Sequence, residues 1–231
     1  RQTSFGWTDP ETGLQCRCVE TSYSDFPVVE WVVFFRNAGA ADTPLLEEIR
    51  GVNAEFAGAG LGEVMLHGIK WDSCTADSYE PYGLPLLTNQ TCAFAPAASG
   101  KSCDGPQGWP YFNAQLPGGG VVLAVGWPGQ WSADFIRDTG FGLPAQAGQE
   151  LTHFKLHPGE EVRTPLVVLQ FWNGGDWIRA QNVWRSWMIA HNVPRPGGKL
   201  QPSHLAACSS HQYAEMQNAN EENQKMFIDR Y

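Results

Sequence analysis

Positive charge is scarce in this 231-residue chain: 15 Lys and Arg stand against 24 Asp and Glu, a formal net charge of -9. The few basic residues are scattered. Nucleic acid and anionic membrane surfaces are bound by clustered cations that displace counterions, so neither is expected as a partner. Long apolar runs are missing too. No stretch approaches the roughly 20 residues of a membrane helix, and Arg1 does not open a signal-peptide pattern. The expectation is a soluble chain, mature or trimmed, with no membrane span.

Several chemical signatures are also absent. There is no H-E-x-x-H, G-x-S-x-G or paired C-x-x-C, so zinc-hydrolase, serine-hydrolase and thiol-redox readings lack their minimum parts. Residues 58–62 (GAGLG) lack the G-x-G-x-x-G spacing and run into EVMLHGIK, another strand candidate; they read as a hairpin turn rather than a phosphate loop. His153 and His157 would invite a metal on a helix. Segment 151–156 reads instead as a strand, where their side chains stand about 13 Å apart. Cys208, near His204 and His211, lies in a polar connector and reads as a structural or disulfide cysteine rather than a nucleophile. No metal and no cofactor is expected.

Cys16, Cys18, Cys74, Cys92, Cys103 and Cys208 fit no zinc spacing. Their even number, with an Asn89-Gln90-Thr91 acceptor sequon beside Cys92, favours an oxidising route: a secreted, glycosylated protein in which all six are disulfide candidates. Cys92 and Cys103 are the pair expected to close the segment between them.

What is present points to a β domain large enough to bury a sizeable core. Segments 15–20, 26–36, 45–56 and 63–70 read as strands, with a turn at 37–39. Segment 26–36 is apolar on both sides, as in the middle of a sandwich. Segment 88–108, rich in small residues, reads as a long surface loop stapled by a disulfide and carrying the glycan. YFNAQL and VVLAVGW flank a Pro-Gly-Gly-Gly turn and form the clearest hairpin. Segment 162–172 reads as one buried strand. From Asp176 the period changes: Trp177, Ala180, Trp184, Trp187 and Met188 recur at helical spacing, with capping chemistry at 173–176 and Pro194 as the stop. A Pro/Gly-rich linker and a polar helix over 213–231 follow. The expected fold is mainly β, a large antiparallel β-sandwich (supersandwich) with one Trp-rich helix near residues 176–191 and a C-terminal helical tail. Residues 1–196 form the sandwich domain and 197–231 the linker and helix.

Three stretches carry a resemblance: MLHGIKWDSCTADSYEP, WPYFNAQLPGGGVVLAVGWPGQWSADF, and PGE-VRTP followed by a strand, GDW, QN-WR-WM and N-PRP. In that order they resemble the end of the amino-terminal β-sandwich of glycoside hydrolase family 36 and its melibiase-like relatives. These are α-galactosidases and related retaining α-glycosidases, in which the sandwich precedes a (β/α)8 catalytic barrel. The resemblance implies a barrel of the same polypeptide as partner and an α-galactoside-like carbohydrate as the parent enzyme's ligand. A homo-oligomer is a further assembly it allows.

The resemblance also implies that the loop after Lys70 reaches the barrel mouth. WDSCTADSYEPYG mixes aromatic rings with short carboxylates and hydroxyls, the composition a sugar site needs. Trp71 and Asp72 are therefore substrate-binding candidates. Trp127 and Trp131, on either side of a Pro-Gly turn, are platform candidates for a sugar, with core packing the preferred reading. Asp72, Asp77, Glu80, Asp104, Asp134, Asp138, Glu160 and Glu161 lie mostly in turns, where a solvated carboxylate is the default. The family's catalytic aspartates stand on later barrel strands, so no catalytic residue carries over, and the 231-residue chain alone is expected to be inactive. The alternative is a free-standing secreted carbohydrate-binding or structural assembly protein.

Overall fold

The computed structural model describes residues 1–231 apart from 73–74, 99, 106–107, 175, 203–219 and 231. The chain divides into two compact units, Arg1–Trp187 and Met188–Tyr231.

In the first unit the strands are β1 (Gln2–Thr8), β2 (Leu14–Ser22), β3 (Val28–Asn37), β4 (Leu46–Glu47), β5 (Val52–Ala57), β6 (Met65–Ile69), β7 (Pro81–Pro85) and β8 (Gln90–Phe94). They continue with β9 (Tyr111–Leu116), β10 (Gly119–Gly126), β11 (Trp131–Arg137), β12 (Gly142–Gln149), β13 (His153–Phe154), β14 (Glu161–Arg163) and β15 (Leu166–Asn173). Helix α1 (Trp177–Trp187) closes the unit. A nine-stranded sheet has the order β1-β2-β3-β15-β10-β9-β6-β7, with β14 also on β3; a four-stranded sheet has the order β5-β12-β11-β8. The strand pairings are antiparallel, and neither sheet closes into a barrel among the described residues.

The alternation of side chains along each strand makes the sandwich. Leu66, Phe112, Ala114, Val121, Leu123, Val167 and Leu169 point from the large sheet onto Val52, Phe94, Trp131, Ala133, Phe135, Leu143 and Ala145 of the small one, in one continuous core. The opposite face of the large sheet is covered by α1. There Trp187, Trp184, Val28, Val168, Ala124 and Leu166 form a second, smaller cluster with Tyr23 and Phe26. The helix starts as expected: the Asp176 carboxylate accepts a hydrogen bond from the Arg179 amide at 2.7 Å, satisfying an otherwise orphan donor.

The hairpin of β9 and β10 turns on Pro117-Gly118, with Leu116 opposite Gly119. Gly118 has φ of 84°, which glycine alone adopts without cost. Other expectations needed correction. Residues 58–62 are not a hairpin turn, because β5 belongs to the small sheet and β6 to the large one; the 3-10 turn Ala59–Leu61 is a crossover between sheets. Arg137 of β11 secures it, donating to the carbonyls of Ala59 and Gly62, at 3.1 and 2.5 Å, and of Leu86, at 2.9 Å.

Segment 88–108 is not all loop, since β8 lies within it and pairs with β11. The buried strand read over 162–172 is two strands. Pro165 has no N–H for the ladder, and Thr164 substitutes its hydroxyl, which accepts from the Val33 amide at 3.1 Å and donates to the Pro165 carbonyl at 3.0 Å. Segment 45–56 likewise breaks into β4 and β5, and β1 was not foreseen. Cys16, Cys18, Cys92 and Cys103 are free thiols, so the closure expected between Cys92 and Cys103 is not made. Burial raises the thiol pKa of Cys16, Cys18 and Cys92. Cys74 and Cys208 lie outside the described residues.

In the second unit, Met188–Asn192 form a single wide turn in which the Val193 amide donates to the Met188 carbonyl at 2.9 Å. Arg195 donates to the Ile189 carbonyl at 2.7 Å. Helix α2 (Glu221–Arg230) is capped by Asn220, whose side chain accepts from the Asn223 amide at 2.8 Å. The remainder of the polar helix read over 213–231, at 213–219 and 231, lies outside the described residues.

Candidate functional site

Two loops meet at one end of the large sheet. The first runs from Lys70 to Glu80 between β6 and β7; the second precedes Tyr111 of β9. Gly68 prepares the first, because the Tyr82 ring occupies the space where a Cβ at that position would stand. The loop is then closed on itself: the Lys70 amide donates to the Glu80 carbonyl at 2.9 Å, and the Tyr79 amide to the Trp71 carbonyl at 3.2 Å. Tyr79 has φ of 66°, an uncommon conformation for an aromatic residue that turns the chain into Glu80-Pro81. The second loop is tied to the first by the Asp72 amide, which donates to the Cys103 carbonyl at 3.1 Å.

Aromatic and charged groups gather here. Trp71 and Asp72 are both half-buried. The exposed ring of Tyr79 stands 6.0 Å from that of Trp109. Lys70 Nζ lies 2.7 Å from Glu80 Oε2 and 3.8 Å from Asp77 Oδ2. The hydrogen bond to Glu80 raises the Lys70 pKa. The Thr75 hydroxyl, 2.7 Å from Asp77 Oδ1, holds the Asp77 carboxyl below its usual range, with help from Lys70. An ionised Asp77 accepts hydrogen bonds and is unsuited to giving up a proton near neutral pH. Flat rings beside carboxylate acceptors and one cation can hold a polyhydroxylated ligand.

The two tryptophans of the GWPGQW turn go elsewhere. Trp131 is fully buried against Phe112 and has no face open to a sugar. Its indole N–H donates to the Ser102 carbonyl at 2.7 Å, so it supports the second loop from beneath. Trp127 is half-buried, packs against the sandwich core, and faces the Arg163 guanidinium 5.6 Å from its ring centroid. It helps line a separate open groove of about 450 Å3 with Phe35, Ile49, Phe154 and Val162; Trp71 and Asp72 are not among its walls. The structure thus sets Lys70 beside Asp77 and Glu80 and Tyr79 beside Trp109, ties the backbone of Trp71 and Asp72 into the same two loops, and leaves Trp127 and Trp131 out. Trp109 escaped the sequence reading because only the meeting of two loops places it beside Tyr79.

Asn89 is exposed, with φ of 61°, in the turn before β8. Among the described residues no group of three or more His, Cys, Asp or Glu is placed to hold a metal ion. His153 Nδ1 lies 3.2 Å from Glu47, and His157 Nδ1 lies 2.8 Å from Asp42, which raises the His157 pKa. Only His153 belongs to a strand, the two-residue β13, so the strand expected over 151–156 is cut short. His204 and His211 lie outside the described residues. No helix among the described residues is long and apolar enough to cross a membrane.

No family model matches the chain, and no curated protein does. Solved structures are similar to it. The GH36 α-galactosidase AgaA from Geobacillus stearothermophilus superposes with a TM-score of 0.58 at 19% identity, over 75% of this chain and 24% of that one. The α-galactosidase from Lactobacillus brevis gives 0.59 at 14% identity, over 75% and 23%. The galactosidase domain of the α-galactosidase-sucrose kinase AgaSK gives 0.59 at 16%, over 74% and 23%. The chain therefore spans about a quarter of the length of these structures and shares the fold of that part of the GH36 α-galactosidases.

Proposed function

We propose that this chain is the non-catalytic β-sandwich of an α-galactosidase-like glycoside hydrolase, bracing a catalytic barrel and lending the loop of Trp71 and Asp72 to the rim of the sugar site. The observation that carries the reading is the likeness in fold to about a quarter of each GH36 enzyme, joined to a loop cluster with rings and acceptors suited to a pyranose. Secretion and N-glycosylation at Asn89 belong to the same proposal. Catalysis would fall to carboxylates outside this sequence.

Intact mass of the natively produced protein, after removal of N-glycans, tests the domain reading. A polypeptide well above 25.5 kDa is expected. A mass near 25.5 kDa would instead favour the free-standing carbohydrate-binding or assembly protein. Hydrolysis of raffinose by the purified 231-residue chain, removed by changing one of its own carboxylates, would overturn the non-catalytic role. For the rim, raffinose hydrolysis by the whole enzyme is expected to weaken in Trp71→Ala, chiefly through KM, with circular dichroism unchanged. Unaltered kinetics would remove Trp71 from the site.

A further inference from the structure

Among the described residues, the edge of the large sheet farthest from the candidate site carries no further strand. β1 is its first strand and, among the described residues, pairs with β2 alone. Natural edge strands are usually blunted by charge, proline, a bulge or shortness. β1 has none of these: its seven residues, QTSFGWT, include no charged group and no proline, and they run in unbroken register from Gln2 opposite Thr21 to Thr8 opposite Gln15. Phe5 and Trp7 share one face and are 43% and 61% exposed. Gly6 is not required by the chain's own packing, since an added Cβ would meet open space and its φ is not positive. Glycine within a strand often marks the close approach of another backbone.

Hydrogen-bond parity decides what the edge can accept. Arg1 and Ser22 exchange backbone bonds of 2.7 and 2.8 Å, and the Asp9 amide donates to Leu14 at 2.9 Å. Bonded pairs alternate along an antiparallel ladder. The odd-numbered residues of β1 therefore direct their backbone groups at β2, and Gln2, Ser4, Gly6 and Thr8 direct theirs outward. An antiparallel pairing of two β1 strands about a two-fold axis at Phe5 sets Ser4 opposite Gly6 and Gln2 opposite Thr8. It uses all four outward residues of each copy, about eight hydrogen bonds in total. The same register places exposed Arg1 opposite exposed Asp9 at both ends, and it brings the two Phe5 rings together at the axis.

We propose that β1 is a self-association edge, on which a second copy of this chain pairs antiparallel about a two-fold axis at Phe5 and joins the two large sheets into one. Such an isologous contact is self-complementary and closes at two copies. The inference does not depend on the sugar-site reading.

Sedimentation equilibrium of the 231-residue chain tests it. A reversible dimer of twice 25.5 kDa is expected. Ser4→Pro removes an outward N–H and leaves the β2 ladder intact, so association should weaken by roughly tenfold to hundredfold with the circular dichroism spectrum unchanged. Arg1→Glu and Asp9→Lys should each weaken self-association. An equimolar mixture of these two variants should recover it, because opposite charges again face each other at both ends of the mixed dimer; a folding defect cannot produce that recovery. A chain that stays at 25.5 kDa at every concentration, a dimer indifferent to Ser4→Pro, or a mixture that fails to recover would overturn the proposal.

Discussion

On β9, Phe112, Ala114 and Leu116 face the small sheet, while Tyr111, Asn113 and Gln115 alternate with them and face the side of α1. Both sets are largely buried, yet they are held differently. Inward, rings pack on rings: Phe112 lies 4.7 Å from Phe94, 5.2 Å from Phe135 and 5.7 Å from Trp131, centroid to centroid. Outward, side-chain amides tie the sheet to the helix. Asn113 donates to the Trp177 carbonyl at 3.1 Å and accepts from the Trp172 indole at 3.0 Å, and Gln170 donates to the Ala180 carbonyl at 2.9 Å. His67 stacks on Trp177, with centroids 4.1 Å apart and planes 8° from parallel, and its Nε2 meets Gln115 Oε1 at 2.9 Å. Gly120 completes the arrangement, since the Trp172 ring fills the space a side chain there would need. Apolar contact binds two broad sheets without regard to direction, whereas directional bonds seat one helix at one height on its strands.

The largest effect should come from the inner face. Phe135→Ala, removing a fully buried ring between Phe94 and Phe112, is expected to cost about 3–5 kcal/mol in urea unfolding. A loss under about 1 kcal/mol would mean that the small sheet collapses onto the gap and that the inner face is less tightly packed than its ring geometry implies.

The outer face should respond to lost bonds rather than lost volume. Asn113→Ala leaves both the Trp172 donor and the Trp177 carbonyl without their partner, and a cost of about 2–3 kcal/mol is expected. Gln170→Met sharpens the contrast. Gln170 is fully buried, and its Oε1 has no hydrogen-bond partner among the described residues. Methionine gives up one bond to Ala180 but also removes an unsatisfied acceptor, so the change should stay within about 1 kcal/mol. A cost as large as that of Asn113→Ala would show that the single bond to α1 outweighs the orphan oxygen.

The last effect is alkaline. Burial, with the hydrogen bond to Glu30 at 2.7 Å, pushes the Tyr23 phenol up to about 12 from 10.0. Because the folded-state pKa is the higher one, this contribution is fully present below pH 10 and is lost as pH rises to about 12. Stability should therefore fall across that window less steeply in Tyr23→Phe than in the parent, measured by urea midpoints at each pH. Equal slopes would detach Tyr23 from the packing beneath Trp187, which its ring meets edge-on at 5.6 Å.

Part of the candidate site was legible because its residues are neighbours in the chain: Trp71, Asp72, Asp77 and Glu80 stand within ten residues of one another. Trp109 is no such neighbour, and neither is Cys103, whose carbonyl receives the Asp72 amide; both come from a loop whose sequence shows only small residues and turns. Trp127 and Trp131 had identical local signals, a tryptophan beside a Pro-Gly turn. One ends at a groove under Arg163 and the other in the core.

The sequence by itself determined features that depend on neighbouring residues: the start of α1 at Asp176, the β9–β10 hairpin on Pro117-Gly118, and the apolar strands of the sandwich. Backbone dihedrals, capping and side-chain alternation act over a few residues, so their marks can be read locally. Only the tertiary structure decided that 58–62 crosses between sheets, that Gln90–Phe94 joins β11, that Gln2–Thr8 forms an edge, and which tryptophans are buried. Strand partners are chosen by contacts between residues far apart in the chain, and a short or glycine-bearing strand acquires its preference from the neighbour it pairs with.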